Sequence, residues 1–177
     1  MFFWKRNRYA KDIAGKVWPC VSHADGFGGI DPSENAFLLG FISASCNYLL
    51  TLFEGRSPTN LDSGLVTLRV FDHCFGGKGK QLLKVNLSYM QNYDSEHQRG
   101  SEAAMTLWAL VFGMLEPEQN QSLKRIKESA RTAARSEFLQ SHSPFPVPED
   151  EKGQLIVEVI ARIQKEAAGG PPWDEVE

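Results

Sequence analysis

Cys20-x-x-His23 and the adjacent pair His73-Cys74 hold residue types that ligate zinc or act as nucleophiles. The first pair has a workable local spacing for zinc. The second argues against a shared site, because neighbouring side chains point to opposite faces of a strand or lie about 100° apart on a helix. A cysteine nucleophile needs a base and a group that orients the base. Neither Cys20 nor Cys74 is accompanied by such a set, and the carboxylates show no pairing suited to general acid and base work. The residues therefore predict no catalytic site, no metal and no cofactor.

Gly76-Gly77-Lys78-Gly79-Lys80 holds the ingredients of an anion-binding turn, backbone amides beside a lysine. A Walker loop, however, places four residues before its Gly-Lys-Ser/Thr. Here two residues separate Gly76 from Gly79, and Gln81 stands where the magnesium-binding hydroxyl belongs. A solvated turn is the expectation. Asp25-Gly26-Phe27-Gly28-Gly29-Ile30-Asp31 is a flexible acidic loop that runs into a helix start. Helix N-termini favour anions, but Asp31 and Glu34 already supply negative charge there. The spacing also lacks the regular oxygen series of a calcium loop.

What remains at these positions is contact with another molecule. Asp25, Phe27, Asp31 and Glu34 form a group suited to a basic site on a partner protein. At the N-terminus, Phe2-Phe3-Trp4 precedes Lys5, Arg6 and Arg8, an aromatic and basic pairing found at interfaces. Near the C-terminus, Trp173 lies among acids. Trp4 and Trp173 thus join the predicted partner-binding residues. The basic stretch Lys124 to Arg135 does not, because Glu128 interrupts it at ion-pair spacing and no aromatic residue lies on that face to stack on bases.

The elements that must position these groups are mainly helical. Asp31-Pro32-Ser33-Glu34 is a helix start signal, and Asn35 to Phe53 carries no charge. The pattern predicts a helix from Asp31 to Glu54, closed by Gly55. Such a run would cover about 28 Å, close to a hydrocarbon core. Projection at about 100° per residue favours a buried helix instead, because Ala36, Gly40, Ser43, Ala44, Asn47, Thr51 and Glu54 share one small and polar stripe. Asn47, Thr51 and Glu54 would be costly in lipid.

Ser101 to Glu116 reads as a second core helix ended by Pro117, and its small residues suggest that Ala109 and Gly113 meet Gly40 and Ala44. Amphipathic patterns predict helices over Glu118 to Gln140 and Glu149 to Ala168. His142 to Pro148 is a proline-rich connector. Between residues 65 and 90, the alternation of Val66, Leu68 and Val70, then of Leu83, Val85, Leu87 and Tyr89, suggests a small β-hairpin, although helices also fit.

The fold expectation is mainly α: a single-domain helical bundle, residues 1–168, around a buried central helix at about 31–54, with a flexible acidic tail at 169–177. At 177 residues, 42% hydrophobic and 23% charged, the composition is that of a globular protein. A net charge of −3 predicts no general attraction to nucleic acid. The first residues do not form a secretory signal, and the three cysteines form no paired framework, so a cytoplasmic location is expected. The functional expectation is a non-catalytic protein that binds another protein, such as an inhibitor, an immunity-like protein or an adaptor. One alternative is a ligand pocket or enzyme site lined by Ser43, Asn47 and Thr51. Another is membrane association through residues 35–53, although stable insertion is not expected.

Overall fold

The computed structural model describes residues 3–22, 30–130 and 150–175. Its helices are α1 (Phe3–Val21), α2 (Ala36–Glu54), α3 (Asn60–Phe75), α4 (Gly79–Gln91), α5 (Ser95–Val111), α6 (Gln121–Ala130) and α7 (Glu151–Ala167), with 3-10 turns at Pro32–Glu34 and Pro117–Gln119. Among the described residues there is no strand. The chain is mainly α. It forms two compact units, one of Met1–Trp18 with Ile30–Met105, the other of Pro19–Gly29 with Thr106–Glu177.

In the first unit, the expected helix start at Asp31 resolves into two caps in series. Asp31 accepts the Ser33 amide at 2.8 Å and closes the 3-10 turn, while Asn35 accepts the Leu38 amide at 2.9 Å and starts α2. Both are good capping residues, and the proline after Asp31 suits a tight first turn. Gly55 then ends α2 in the left-handed conformation, φ 64°, as expected. α2 is long and apolar enough to cross a membrane, yet 67% of its most apolar stretch is buried within the fold. That burial is the signature of a core helix.

Within the first unit, the small stripe of α2 allows close approach to the start of α5, which begins at Ser95, six residues earlier than expected. A Cβ on Gly40 would lie 2.1 Å from the His97 carbonyl oxygen, and one on Gly100 would lie 2.0 Å from that of Phe37. The two helices thus meet through reciprocal glycines near the start of α5. Gly113, in the second unit, takes φ 69° in the turn after α5.

Residues 65–90 form α3 and α4, so the hairpin that the alternation suggested is absent. Val66, Thr67, Val70 and Phe71 of α3 are buried at helical spacing, as are Leu82 and Asn86 of α4. The period of two misled in α4 because its apolar members are not the buried set: Leu87 is exposed, while the buried Leu82 and Asn86 are not among them. The glycine turn joining these helices is tight. Gly76 and Gly77 have φ of 60° and 87°, and Gly79 donates its amide to Asp72 Oδ1 at 2.7 Å. A carboxylate of the chain itself thereby occupies the N-terminus of α4. A Cβ on Gly79 would lie 2.2 Å from the Leu68 carbonyl oxygen. Gly79→Ala is expected to destabilise the fold by about 1 to 3 kcal/mol, read as a drop in thermal midpoint of about 2 to 10 °C.

α1 runs in the same direction as α3, since Arg6 pairs with Asp62 at 2.7 Å near their starts and Trp18 meets Phe75 edge to face at 5.4 Å near their ends. Asp62 also exchanges hydrogen bonds with Thr59 in the cap of α3. Burial opposes ionisation of Asp62, and the bonds from Arg6 and Thr59 outweigh it, holding the carboxyl below its usual range.

In the second unit, α6 and α7 bury the faces that the sequence pattern assigned them: Leu123 and Ile126, then Leu155, Ile156, Val159, Ile160 and Ile163. α6 starts after the Pro117–Gln119 turn, three residues later than expected, because Asn120 caps it through the Leu123 amide at 3.1 Å. The expected continuation to Gln140 and the connector at 142–148 lie outside the described residues. Asp150 caps α7, accepting the Gly153 amide at 2.9 Å. Gln164 of α7 donates to the carbonyls of Pro19 at 2.8 Å and Ser22 at 3.2 Å, satisfying acceptors at the end of α1.

The stretch from Gly169, expected to be a flexible tail, is packed back onto α7 through Glu175. Gly169 turns with φ 84°, Glu166 accepts the Trp173 amide at 2.7 Å, and Arg162 donates to the Glu175 carbonyl at 2.9 Å. Trp173 is only 5% exposed. Its indole surface drives the docking, and the buried Glu166 carboxylate fixes the register.

Candidate functional site

The structure distributes the expected partner-binding residues among different environments. Asp25 and Phe27 lie outside the described residues. Asp31 and Glu34 are exposed on the 3-10 turn. Trp4 is 61% exposed near the start of α1. Trp173, being buried in the second unit, is corrected from a surface contact to a core side chain.

Around Glu34 the fold assembles an acidic face with residues that sequence reasoning missed. Tyr89, on the side of α4 that meets the 3-10 turn, donates its hydroxyl to the Ser33 carbonyl at 3.2 Å. Burial first, and then the charges of Asp94, Glu34 and Glu96, push the Tyr89 phenol above its ordinary range. Three carboxylates thus act on one aromatic ring. The hydroxyl and amide of Ser33 hold the Asp31 carboxyl below its usual range, with a smaller contribution from the Lys78 charge.

Beside this group, α4 ends in a turn that any helix would close more readily with glycine. Tyr93 donates to the Met90 carbonyl at 3.3 Å and Asp94 to that of Tyr89 at 3.1 Å, a Schellman-type closure. Tyr93 sits at φ 53°, the one positive φ outside glycine among the described residues, and is 81% exposed. A bulky residue in the left-handed region costs about 1 to 2 kcal/mol. The strain therefore holds a large aromatic ring in solvent. The missing glycine between two helical patterns, with Asp94 as the next cap, is the sequence signal that would have found it.

The polar groups of Ser43, Asn47 and Thr51 take part in hydrogen bonds within the fold. Asn86 donates to Ser43 Oγ at 3.3 Å, Ser63 donates to Asn47, and Thr51 donates to the Asn47 carbonyl at 2.8 Å. Ser43 is buried within the fold, whereas Asn47 is exposed. Asn86 continues to His97, whose Nε2 lies 2.9 Å from Asn86 Oδ1, making a buried chain from α2 through α4 to α5.

A cleft of about 310 Å³ lies in the second unit, lined by Glu116, Pro117, Glu118, Lys127, Asp150, Glu151, Lys152 and Leu155. Lys127 spans it, 3.0 Å from Glu118 and 3.5 Å from Glu151, so its charge is largely satisfied internally. Hydrogen bonding to Glu118 raises the Lys127 pKa, and the same contact lowers that of Glu118.

The cysteines are unsuited to nucleophilic work. Cys20 and Cys46 are buried and their thiols are pushed far up by desolvation; Cys74 is pushed up to about 12. Thiolate, the reactive form, is scarce at neutral pH. Among the described residues no group of three or more histidine, cysteine, aspartate or glutamate side chains is placed to hold a metal ion. His23 lies outside the described residues. No protein-family model matches the chain, and none of the curated proteins or solved structures compared with it matches.

Proposed function

We propose that the protein acts by binding another protein, through the acidic face formed by Glu34, Asp94 and Glu96 around Tyr89, with Asp31 on the adjoining 3-10 turn and Tyr93 as its exposed aromatic contact. The single observation that carries this reading is the strained, 81% exposed Tyr93, next in the chain to Asp94, one of the three carboxylates whose charges act on Tyr89. Backbone strain persists where the surrounding structure enforces it, and it concentrates at functional positions. Tyrosine is enriched among the residues that dominate interface energies. The carboxylates supply complementarity to lysine and arginine, which speeds encounter and selects the partner. A partner with a basic surface follows, and an inhibitor or adaptor role would suit such a face.

Affinity purification from the native host tests the reading, comparing the native chain with the double substitution Glu34→Lys and Glu96→Lys. A stoichiometric protein lost from the charge-reversed sample is the expected result. Retention of every partner by that variant, or recovery of a small molecule with no protein, would overturn it.

Tyr93→Gly separates strain from binding. Relief of the left-handed penalty, offset by the flexibility of glycine in the unfolded chain, is expected to raise stability by about 0.5 to 1 kcal/mol. Denaturant unfolding reads that gain. The same variant should bind the partner more weakly, by tenfold or more if Tyr93 is a hot spot.

A further inference from the structure

The buried chain from Ser43 through Asn86 to His97 ends next to the acidic face. Asn86 is 1% exposed and His97 5%. Asn86 Nδ2 lies 3.6 Å from Met90 Sδ, and a thioether only accepts, so the amide nitrogen faces Met90 and Ser43 while Oδ1 faces His97. His97 Nε2 must then carry the proton it donates to Asn86 Oδ1. Neutral His97 fits this network with one proton, and an added proton charges a ring shut away from solvent.

The ring of His97 lies 6.3 Å from that of Tyr89, whose hydroxyl holds the Ser33 carbonyl of the 3-10 turn. Backbone contact is equally close, since the His97 carbonyl abuts Gly40 and accepts from Ser101 at 3.1 Å. The titratable groups around His97 are few. Asp94, the cap of its own helix, acts on it directly; Tyr89 faces it from α4; α2 presents Ser43 and the Gly40 backbone, which do not titrate.

We propose that His97 is a proton switch for the acidic face: its protonation loosens the packing against Tyr89 and releases the Asp31–Glu34 turn that Tyr89 holds. This regulation rests on the reading of that face as a binding surface. Burial lowers the His97 pKa and the charge of Asp94 opposes the shift only in part. The unfolded chain therefore takes the proton first, near the ordinary histidine value of about 6.5. Stability is full above that pH and falls as pH drops toward the value in the fold.

The test is urea unfolding of the full chain from about pH 7.5 to 5.2, a window above ordinary carboxylate titration. It is run with the native protein, His97→Gln and Asn86→Asp, alongside hydrogen exchange of the Glu34 and Asn35 amides corrected for intrinsic rates. In the native protein, relative to His97→Gln, the folded-to-unfolded ratio should fall by up to about tenfold per pH unit below 6.5, the linkage of one proton. Protection of the two amides should fall in the same range. Asn86→Asp replaces the amide oxygen with a carboxylate that favours charged His97, so its slope should flatten or reverse, which keeps the test available if His97→Gln fails to fold. Parallel profiles in all folded variants, or turn protection that ignores pH while global stability changes, would overturn the proposal. Neither measurement uses a partner, so its failure and that of the binding reading are told apart.

Discussion

Replacing Gly100 with alanine is expected to lower the stability of the fold by about 3 kcal/mol or more, with a similar loss for Gly40→Ala. The added methyl would sit 2.0 Å from the Phe37 carbonyl oxygen in one case and 2.1 Å from that of His97 in the other. Both obstacles are backbone atoms of a helix, so neither can rotate away. Overpacking of ordinary cores costs about 1 to 3 kcal/mol, and only part of that is offset by the helix propensity that alanine gains over glycine, about 1 kcal/mol. Thermal midpoints should fall by about 6 to 12 °C for a chain of this size. Gly15→Ala and Gly64→Ala supply the contrast. A Cβ at either meets nothing within 4 Å, so these helical glycines should gain up to about 1 kcal/mol on the same substitution. Equal responses at all four positions would rule out a close seam between α2 and α5.

Trp173→Ala should produce a loss of about 3 to 5 kcal/mol, the range for removing a buried large aromatic side chain. The sequence placed this residue on a flexible tail, where its loss would alter only affinity. In the fold it is 5% exposed, and its amide donates to the buried Glu166 carboxylate at 2.7 Å. Its removal leaves a cavity beside that carboxylate. Denaturant midpoints read the effect directly. An unchanged midpoint would show that residues 169–175 contribute nothing to the core.

The parts of this molecule legible in its sequence are those governed by local rules. The uncharged run of α2, Gly55 as its terminator and the buried stripe of α7 are set by spacing and by the chemistry of single residues. Where two local signals competed, the prediction slipped. Asp31 and Asn35 are both good caps four residues apart, and the choice between a 3-10 and an α turn involves small energies. The alternation in α4 misled because Leu87 is apolar without being buried, while the polar Asn86 beside it is buried.

Long-range pairing was not legible at all. Gly40 announced a close approach, but its partner Gly100 lay outside the helix read from Ser101, because α5 starts at Ser95. Asn86 and His97 gave no sign that they would join Ser43, 43 residues before Asn86 in the chain. Of the candidate site, Asp31 and Glu34 were visible as acids near a helix start. Tyr89, Tyr93, Asp94 and Glu96 belong with them only because α4 packs on the 3-10 turn.

The buried thiols have a practical consequence. Cys20 belongs to the second unit, and Cys46 and Cys74 to the first. A disulfide-exchange dye reacts with such groups only when the surrounding helices open. Chains retaining Cys20 alone or Cys46 alone would each carry one chromogenic clock, ticking at the opening frequency of its own unit. Two such clocks, run under the same native conditions, would show whether the halves breathe together or apart.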